Sequence, residues 1–243
     1  MLELMLTCFR FHGASRREVG LFNLPHNLPI DATLCTKNPQ DHRLVGPVLE
    51  HDEQHWFISM VRDPRDVVVS RHGMRPDVYW ANLRQWREWY DNVRAYRTHA
   101  RLIEVRYESL IAEPNSVQEM IAARLPFLPQ RGSFSRYYET ATPADHALNA
   151  LNGFRPLSNA SIGNWRRHLP RLAGQLEVHG AIDAELITLG YESNQRWLET
   201  LKGIQPDTRP GRWQEHLPVG FLEQTRKNIA AKLPAYLAAW RQQ

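Results

Sequence analysis

Apolar residues form a nearly continuous run over residues 56–61, WFISMV, and charged residues follow it directly. A run of this length predicts a β-strand. Because the apolar residues do not alternate with polar ones, the pattern favours a strand buried on both faces of a parallel sheet. Asp63 is a suitable helix cap and Pro64 suits the first helical position. Asp66 falls in the first turn, so we predict a helix over residues 65–71.

The same patterns predict the other elements of the chain. Apolar or alternating runs favour strands at residues 3–9, 32–36 and 102–107. Apolar residues at helical spacing predict helices at 77–100 and 115–125, a helix pair over 172–190 and a helix over 221–240. Residues 127–160 are typical of loops, and residues 203–211 of a linker. We therefore expect one α/β domain over residues 1–202, and a linker with a helical extension over 203–243 packed on the same domain.

Composition adds general limits. The chain has 243 residues, a formal net charge of +4 and a pI of about 9.2, which favours anionic ligands without choosing among them. Its two cysteines, Cys8 and Cys35, form neither a metal motif nor a disulfide framework. No apolar run reaches the roughly 18 residues that cross a membrane, and the start lacks the basic residues of a secretion signal. We expect a cytoplasmic protein without a membrane span.

Two side chains beside the predicted strand could hold an anion. Arg62 stands at its carboxyl end, the position where open α/β sheets bind ligands. Ser70 lies seven residues after Asp63, two helical turns on, and would return to the same face of the helix. The alternative is a solvated turn in which Arg62, Arg65 and Asp66 form surface ion pairs.

The string RDPRDVVVS, residues 62–70, resembles the arginine-x-proline-x-aspartate-x-x-x-serine motif of sulfotransferases that use 3′-phosphoadenosine 5′-phosphosulfate (PAPS). In that family the first arginine and the last serine bind the 3′-phosphate, which implies Arg62 and Ser70 here. The resemblance also implies a three-layer P-loop-like α/β fold, with a central, mainly parallel sheet flanked by helices. The implied reaction moves a sulfuryl group from PAPS, as co-substrate, to a hydroxyl or amine.

Two further segments resemble the same family. The string VRYESL contains Tyr107, whose counterpart in the family lies near the adenine; a purely structural tyrosine is the alternative. The string GNWR, residues 163–166, resembles a segment that usually follows a basic triplet. Here that triplet is replaced by residues 158–160, so the cationic contact would come from Arg155, with neutral hydrogen bonds from Ser158 and Asn159.

The catalytic half of the site is less well defined. Sulfotransferases carry a lysine-x-histidine segment whose histidine is often the general base. Lys37 matches the lysine, but Pro39 stands at the histidine position. We take Lys37 and His42 as the catalytic candidates. Asp41, His26 and His12 are the other nearby candidates for the base.

The family's loop around the 5′-phosphosulfate is not recognisable in this sequence. The loop could lie upstream, the segment around residues 12–15 could replace it, or transfer activity could be lost. The alternatives are therefore a binder of nucleotide or sulfated glycan and, less favoured, a P-loop kinase-like phosphotransferase. We expect no metal cofactor and no nucleic-acid partner. Eight tryptophans and the basic balance favour a carbohydrate over another small-molecule acceptor.

Overall fold

A computed structural model describes residues 1–12, 19–24, 31–72, 75–142 and 155–241. Within these ranges the fold is mainly helical, with one parallel and one antiparallel pair of strands. The strands are β1 (Phe57–Val61), β2 (Arg71–His72), β3 (Arg75–Tyr79) and β4 (Leu102–Arg106). The α-helices are α1 (Leu2–Cys8), α2 (Val45–His51), α3 (Pro64–Val68), α4 (Leu83–Arg94), α5 (Tyr107–Ala112), α6 (Pro114–Arg124), α7 (Leu169–His179), α8 (Asp183–Thr188) and α9 (Phe221–Arg241).

The parallel pair consists of β1 and β4, which are in register along their whole length. Parallel strands end at the same edge of a sheet, so the residues that follow them come together. Arg62 follows β1, and Tyr107 follows β4 as the first residue of α5. This edge positions the candidate site.

The strands predicted at residues 56–61 and 102–107 are confirmed as β1 and β4, although β4 ends at Arg106. The expected burial of β1 on both faces is wrong. Met60 is 38 % exposed, and only Val61 of this strand is fully buried. In the described part of the chain β1 pairs with β4 alone, so the sheet is too narrow to enclose it. The fold is mixed helix and strand with a small parallel sheet, and the three-layer P-loop-like architecture stays a prediction.

Residues 3–8 lie in helix α1 instead of the predicted strand, and Phe9 follows the helix as an isolated bridge to Gln130. Leu4, Met5 and Cys8 recur at helical spacing, and all three are buried in a cluster that also contains Ile103 of β4. The apolar run was therefore one face of a short helix. Packing against β4 and α6 decides this, because a run of seven residues suits either element.

Residues 32–36, also predicted as a strand, form no regular element. The backbone N–H of Thr33 donates to the carbonyl of His12 at 2.7 Å, and the Thr36 hydroxyl donates to the carbonyl of Val19. These bonds tie the segment to isolated points of the chain and build no ladder within the described residues. The predicted strand at residues 32–36 is therefore wrong.

The helix after β1 is shorter than predicted, because α3 ends at Val68. Arg71 already pairs with Tyr79 in the antiparallel β2–β3 sheet, and the carbonyl of Ser70 accepts from the N–H of Trp80 at 2.8 Å. Three consecutive valines favour extended backbone over helix. Ser70 therefore lies between a helix and a strand, so the argument from a shared helical face does not apply to it.

The long helix predicted over residues 77–100 is also shorter, since its first residues belong to β3 and α4 ends at Arg94. Asn82 sets the true start, because its side chain accepts from the N–H of Gln85 at 2.8 Å. The helix predicted at 115–125 is confirmed as α6, and the helix pair as α7 and α8.

The C-terminal helix is confirmed as α9. Leu233, Tyr236 and Leu237 of α9 pack with Leu44 and Val48 in one buried cluster. None of the helices in the described ranges is long and apolar enough to cross a lipid bilayer.

Arg171 of α7 holds the segment between α8 and α9 against the rest of the fold. It is almost wholly buried, and it donates to the carbonyl of Arg209 at 2.7 Å. Its guanidinium lies 4.5 Å from the Tyr79 ring centroid and 3.7 Å from the carboxylate of Glu215. Burial lowers the pKa of Arg171 while Glu215 opposes that shift. The residues around 207–215 are thus fixed by a buried charge rather than by regular structure.

Ile103 of β4 provides a test of this core. It is buried beside α1 and α6, so Ile103→Ala should lower the free energy of unfolding by about 2–5 kcal/mol. Ile187→Ala is the control, because Ile187 is 45 % exposed and should change stability by less than about 1 kcal/mol. Urea unfolding of the three proteins measures both. Equal stabilities of the two variants would contradict the packing of β4.

Candidate functional site

Arg62 extends from the carboxyl end of β1 and is held from two sides. Its Nη2 donates to the carbonyl of Ser161 at 2.6 Å, and its guanidinium carbon lies 4.4 Å from the Tyr107 ring centroid. The side chain is 19 % exposed, and its buried Nε has no hydrogen-bond partner among the described residues. Such a donor costs free energy unless a ligand or water pairs with it.

Tyr107 joins the same contact group. Its hydroxyl lies 2.7 Å from the Ser161 hydroxyl, in the short 3₁₀ turn Asn159–Ser161. Arg62, Tyr107 and Ser161 therefore connect both strand ends of the parallel sheet to one distant segment. Tyr107 has structural contacts of its own and also faces the cation that the motif singles out.

An open groove of about 640 Å³ lies beside this group, between α5 and residues 157–162. Aliphatic side chains alternate in it with an amide, a hydroxyl and one carboxylate. The volume falls within the range of small-molecule sites, and the groove is open to solvent. The lining residues are Glu108, Ile111, Ala112, Leu157, Ser158, Asn159 and Ile162.

The turn after β1 is buried, which excludes the alternative of a solvated turn. Arg65 is 2 % exposed, and it donates to both oxygens of Asp63 and, at 2.6 Å, to Glu192. Its guanidinium lies 4.3 Å from the Trp165 ring centroid. Arg65 is thus a structural cation that stiffens the turn, and Arg62 is the motif arginine that remains at the site.

Asp66 connects the motif to the segment around Trp165. Its carboxylate accepts from the N–H of Gly163 at 2.7 Å and from the N–H of Trp165 at 2.9 Å. Burial raises the pKa of Asp66, and these two donors and Arg62 oppose the shift. Two of the sequence segments singled out above therefore meet through this side chain.

The other predicted binding residues lie at different distances from the groove. Ser158 and Asn159 line it, and the Ser158 hydroxyl also accepts from the N–H of Ala160 at 3.2 Å. Ser70 is half-buried, and its hydroxyl forms no hydrogen bond with another described residue. Arg155 is exposed, with its carbonyl accepting from the Tyr137 hydroxyl. Only Ser158 and Asn159 of the predicted binding residues line the groove, while Arg62 and Tyr107 are joined to the adjacent Ser161. Within the described ranges, Ser70 and Arg155 have neither contact.

His42, a predicted catalytic residue, is enclosed by α4. It is 8 % exposed, its Nδ1 lies 3.1 Å from the Asn92 amide, and its ring packs edge-on against Trp89. Burial lowers the pKa of His42 to about 3, with smaller effects from nearby arginines. The buried Nε2 of His42 has no hydrogen-bond partner among the described residues, and His42 is not among the residues that line the groove.

Lys37, the other predicted catalytic residue, precedes the 3₁₀ helix Pro39–Leu44. Burial lowers the pKa of the Met1 amine, and the charge of Lys37 lowers it further, so the two groups lie near each other. Asp41 accepts from the N–H of Leu21 at 3.0 Å, and burial raises its pKa to about 6. His12 is exposed, while His26 and residues 13–18 lie outside the described residues.

Sequence reasoning missed Ser161 and the contacts of Glu108. Ser161 has no distinguishing neighbours in sequence. Glu108 accepts from the N–H of Asp63 at 3.2 Å and from the Tyr191 hydroxyl at 3.0 Å, which a local pattern cannot reveal. Within the described ranges no group of three or more histidine, cysteine or acidic side chains is arranged to hold a metal ion.

Comparison with known proteins bears on the resemblance noted above. The model of the sulfotransferase family matches residues 8–126, just under half of the chain. The resemblance to sulfotransferases is confirmed. The matched range contains Arg62, Ser70 and Tyr107, whereas residues 155–166 follow it. Sulfotransferases in general transfer a sulfuryl group, so the match supports a transferase. A search of curated proteins found no match.

The burial of His42 predicts a pH dependence that His42→Gln should remove. The folded pKa of about 3 is below the ordinary value of 6.5, so the stabilising effect is present above pH 6.5 and is lost as the pH falls towards 3. As the pH is lowered below 6.5, the unfolding free energy of the wild type should therefore fall relative to that of His42→Gln, by up to about 1.4 kcal/mol per pH unit. Urea unfolding at pH 7 and pH 4.5 measures this.

Asp41→Asn is the control, because the pH dependence of the stability that Asp41 contributes is opposite to that of His42. The pKa of Asp41 is raised from 3.8 to about 6, so its stabilising effect is present at low pH and is lost as the pH rises through 6. An unchanged difference between wild type and His42→Gln across the pH range would mean that His42 is solvated in solution.

Proposed function

We propose that this protein transfers a sulfuryl group from PAPS to a hydroxyl or amine acceptor, with the nucleotide end of the donor bound beside the groove next to α5. The observation that carries this proposal is Arg62. A largely buried arginine with an unpaired Nε stands at the carboxyl end of a parallel strand, in a segment that matches the sulfotransferase family. Such a cation suits a phosphate.

In this proposal Arg62 and Ser70 bind the 3′-phosphate. Tyr107 lies against one part of the adenine, and the aliphatic residues of the groove contact the rest of the base. Ser158 and Asn159 donate neutral hydrogen bonds from the opposite wall. Arg155, which is exposed, reaches the phosphate from solvent.

The transfer step needs little covalent chemistry from the protein. A bond forms between the acceptor oxygen or nitrogen and sulfur as the bond from sulfur to the 5′-phosphate oxygen breaks, and adenosine 3′,5′-bisphosphate leaves. The acceptor's proton goes to a general base. Lys37 would neutralise charge on the sulfuryl oxygens. His42 would be the base only if its ring left the enclosure by Asn92 and Trp89, in which its pKa is about 3.

The second candidate is a protein that binds the nucleotide or a sulfated glycan without transferring sulfate. The enclosure of His42 by Asn92 and Trp89 favours it, because a base must come within hydrogen-bond reach of the acceptor. Both candidates share the same 3′-phosphate site. A carbohydrate remains our preferred acceptor or ligand.

Arg62→Ala tests the shared site. Loss of a charge-assisted ligand should weaken binding of adenosine 3′,5′-bisphosphate by about 1.5–3 kcal/mol, measured by isothermal titration calorimetry. Arg75→Ala removes the same charge from an exposed side chain on β3 that pairs with Asp77, and it should change the affinity by less than about twofold. Equal affinities of wild type and Arg62→Ala would show that the phosphate binds elsewhere.

Transfer itself is tested with sulfur-labelled PAPS and a panel of glycans and small phenols. The enzyme should label at least one acceptor and release adenosine 3′,5′-bisphosphate in equal amount. His42→Gln should lower the transfer rate about 10²–10⁴-fold if His42 is the base. Binding of the bisphosphate without transfer to any acceptor would favour the second candidate.

A further inference from the structure

Asp66 lies behind the groove and does not line it. It stands in the first turn of α3 with its side chain 1 % exposed. Oδ2 accepts from the N–H of Gly163 at 2.7 Å, and Oδ1 accepts from the N–H of Trp165 at 2.9 Å. Both donors belong to a segment almost one hundred residues further along the chain. The same carboxylate lies 3.9 Å from Nη2 of Arg62.

These bonds fix one end of the segment that forms a wall of the groove. Gly163 has a φ of 70°, a left-handed conformation that turns the chain sharply between the wall and Trp165. Trp165 is fully buried in the cluster around α7, so its position is fixed. The bond from Asp66 to Gly163 therefore sets where residues 158–162 emerge from the core.

The wall in turn holds the motif cation. The Ser161 carbonyl accepts from Arg62, and the Ser161 hydroxyl contacts Tyr107. Asp66 thus acts on Arg62 in two ways, directly through its charge and indirectly through Ser161. Tyr107 also contacts both Arg62 and Ser161, whereas Asp66 bonds to the backbone of Gly163 and Trp165 beyond the wall.

We propose that Asp66 is a positioning residue for phosphate recognition. It holds Arg62 and residues 158–162 in the one arrangement in which they face the same ligand, without touching that ligand. The identity of the ligand rests on the function proposed above, whereas the effect on the segment does not.

Asp66→Asn is the informative change. An asparagine of the same size has one oxygen acceptor, and its NH₂ group would oppose one of the two N–H donors. Asp52→Asn is a matched control, because Asp52 is also buried and its Oδ1 accepts from the N–H of Gln54 at 2.7 Å and of His55 at 3.2 Å. It lies before β1, at the opposite end of that strand.

Titration calorimetry would compare adenosine 3′,5′-bisphosphate with adenosine 5′-monophosphate at a temperature where all proteins are folded. The wild type should bind the bisphosphate more tightly than the monophosphate. In Asp66→Asn this ratio of affinities should be about tenfold smaller, which corresponds to roughly 1.4 kcal/mol. Asp52→Asn should keep the preference even if it loses as much thermal stability. A merely structural role for Asp66 would weaken both ligands alike and would overturn the inference.

Trypsin cleavage of the ligand-free proteins provides a readout that does not depend on the ligand. Cleavage after Arg166 and Arg167, which follow the wall and Trp165 and are exposed, should be faster in Asp66→Asn than in the wild type and in Asp52→Asn. If the wild type binds neither nucleotide, the proposed function fails, and unchanged cleavage would then overturn the positioning role as well.

Asp66→Glu covers the case in which Asp66→Asn does not fold. Glutamate keeps both acceptors but displaces them by one methylene group, so the preference for the bisphosphate should fall by an intermediate amount. A preference equal to that of the wild type would overturn the inference.

Discussion

The parallel pairing of β1 with β4 is the constraint on which the candidate site depends. It brings Arg62 and Tyr107, which are far apart in sequence, to one edge of the sheet. The cation then lies over the aromatic ring at 4.4 Å, and both side chains contact Ser161. Without this register, the motif arginine and the tyrosine would not contact each other or Ser161.

Buried charges keep the turn after β1 in place. Arg65 is paired with Asp63 and Glu192 and lies over Trp165, while Asp66 accepts two backbone N–H groups. Removing one partner of such a set leaves an uncompensated buried charge, which is strongly destabilising. The two arginines of the motif therefore have different contacts, since Arg65 holds the turn and Arg62 contacts Ser161 and Tyr107.

Local patterns predicted the elements whose burial is set by their own periodicity. Strand β4 and helices α6 and α9 are of this kind, whereas the continuous apolar run of β1 predicted the strand but not its exposure. Residues 3–9 were wrongly predicted because a short apolar run fits either a strand or one face of a helix, and packing on β4 decides. Helix α3 was predicted too long, because Arg71 instead pairs with Tyr79 in the β2–β3 sheet.

In the candidate site, too, local patterns predicted some residues, whereas residues defined by distant contacts were missed. The positions of Arg62 and Tyr107 at the strand ends could be predicted because each follows a strand in a segment that resembles a known motif. Ser161 could not, since its importance arises only from contacts with those two residues. The part of Asp66 in joining two motifs was hidden for the same reason, because its partners are 97 and 99 residues away.

The most direct test of the account is a crystal structure of the protein with adenosine 3′,5′-bisphosphate. We expect the 3′-phosphate within hydrogen-bond distance of the Arg62 guanidinium, and the adenine beside Tyr107 and the groove lined by Ile111 and Leu157. A nucleotide bound at another surface, with Arg62 still bonded only to Ser161, would contradict the account.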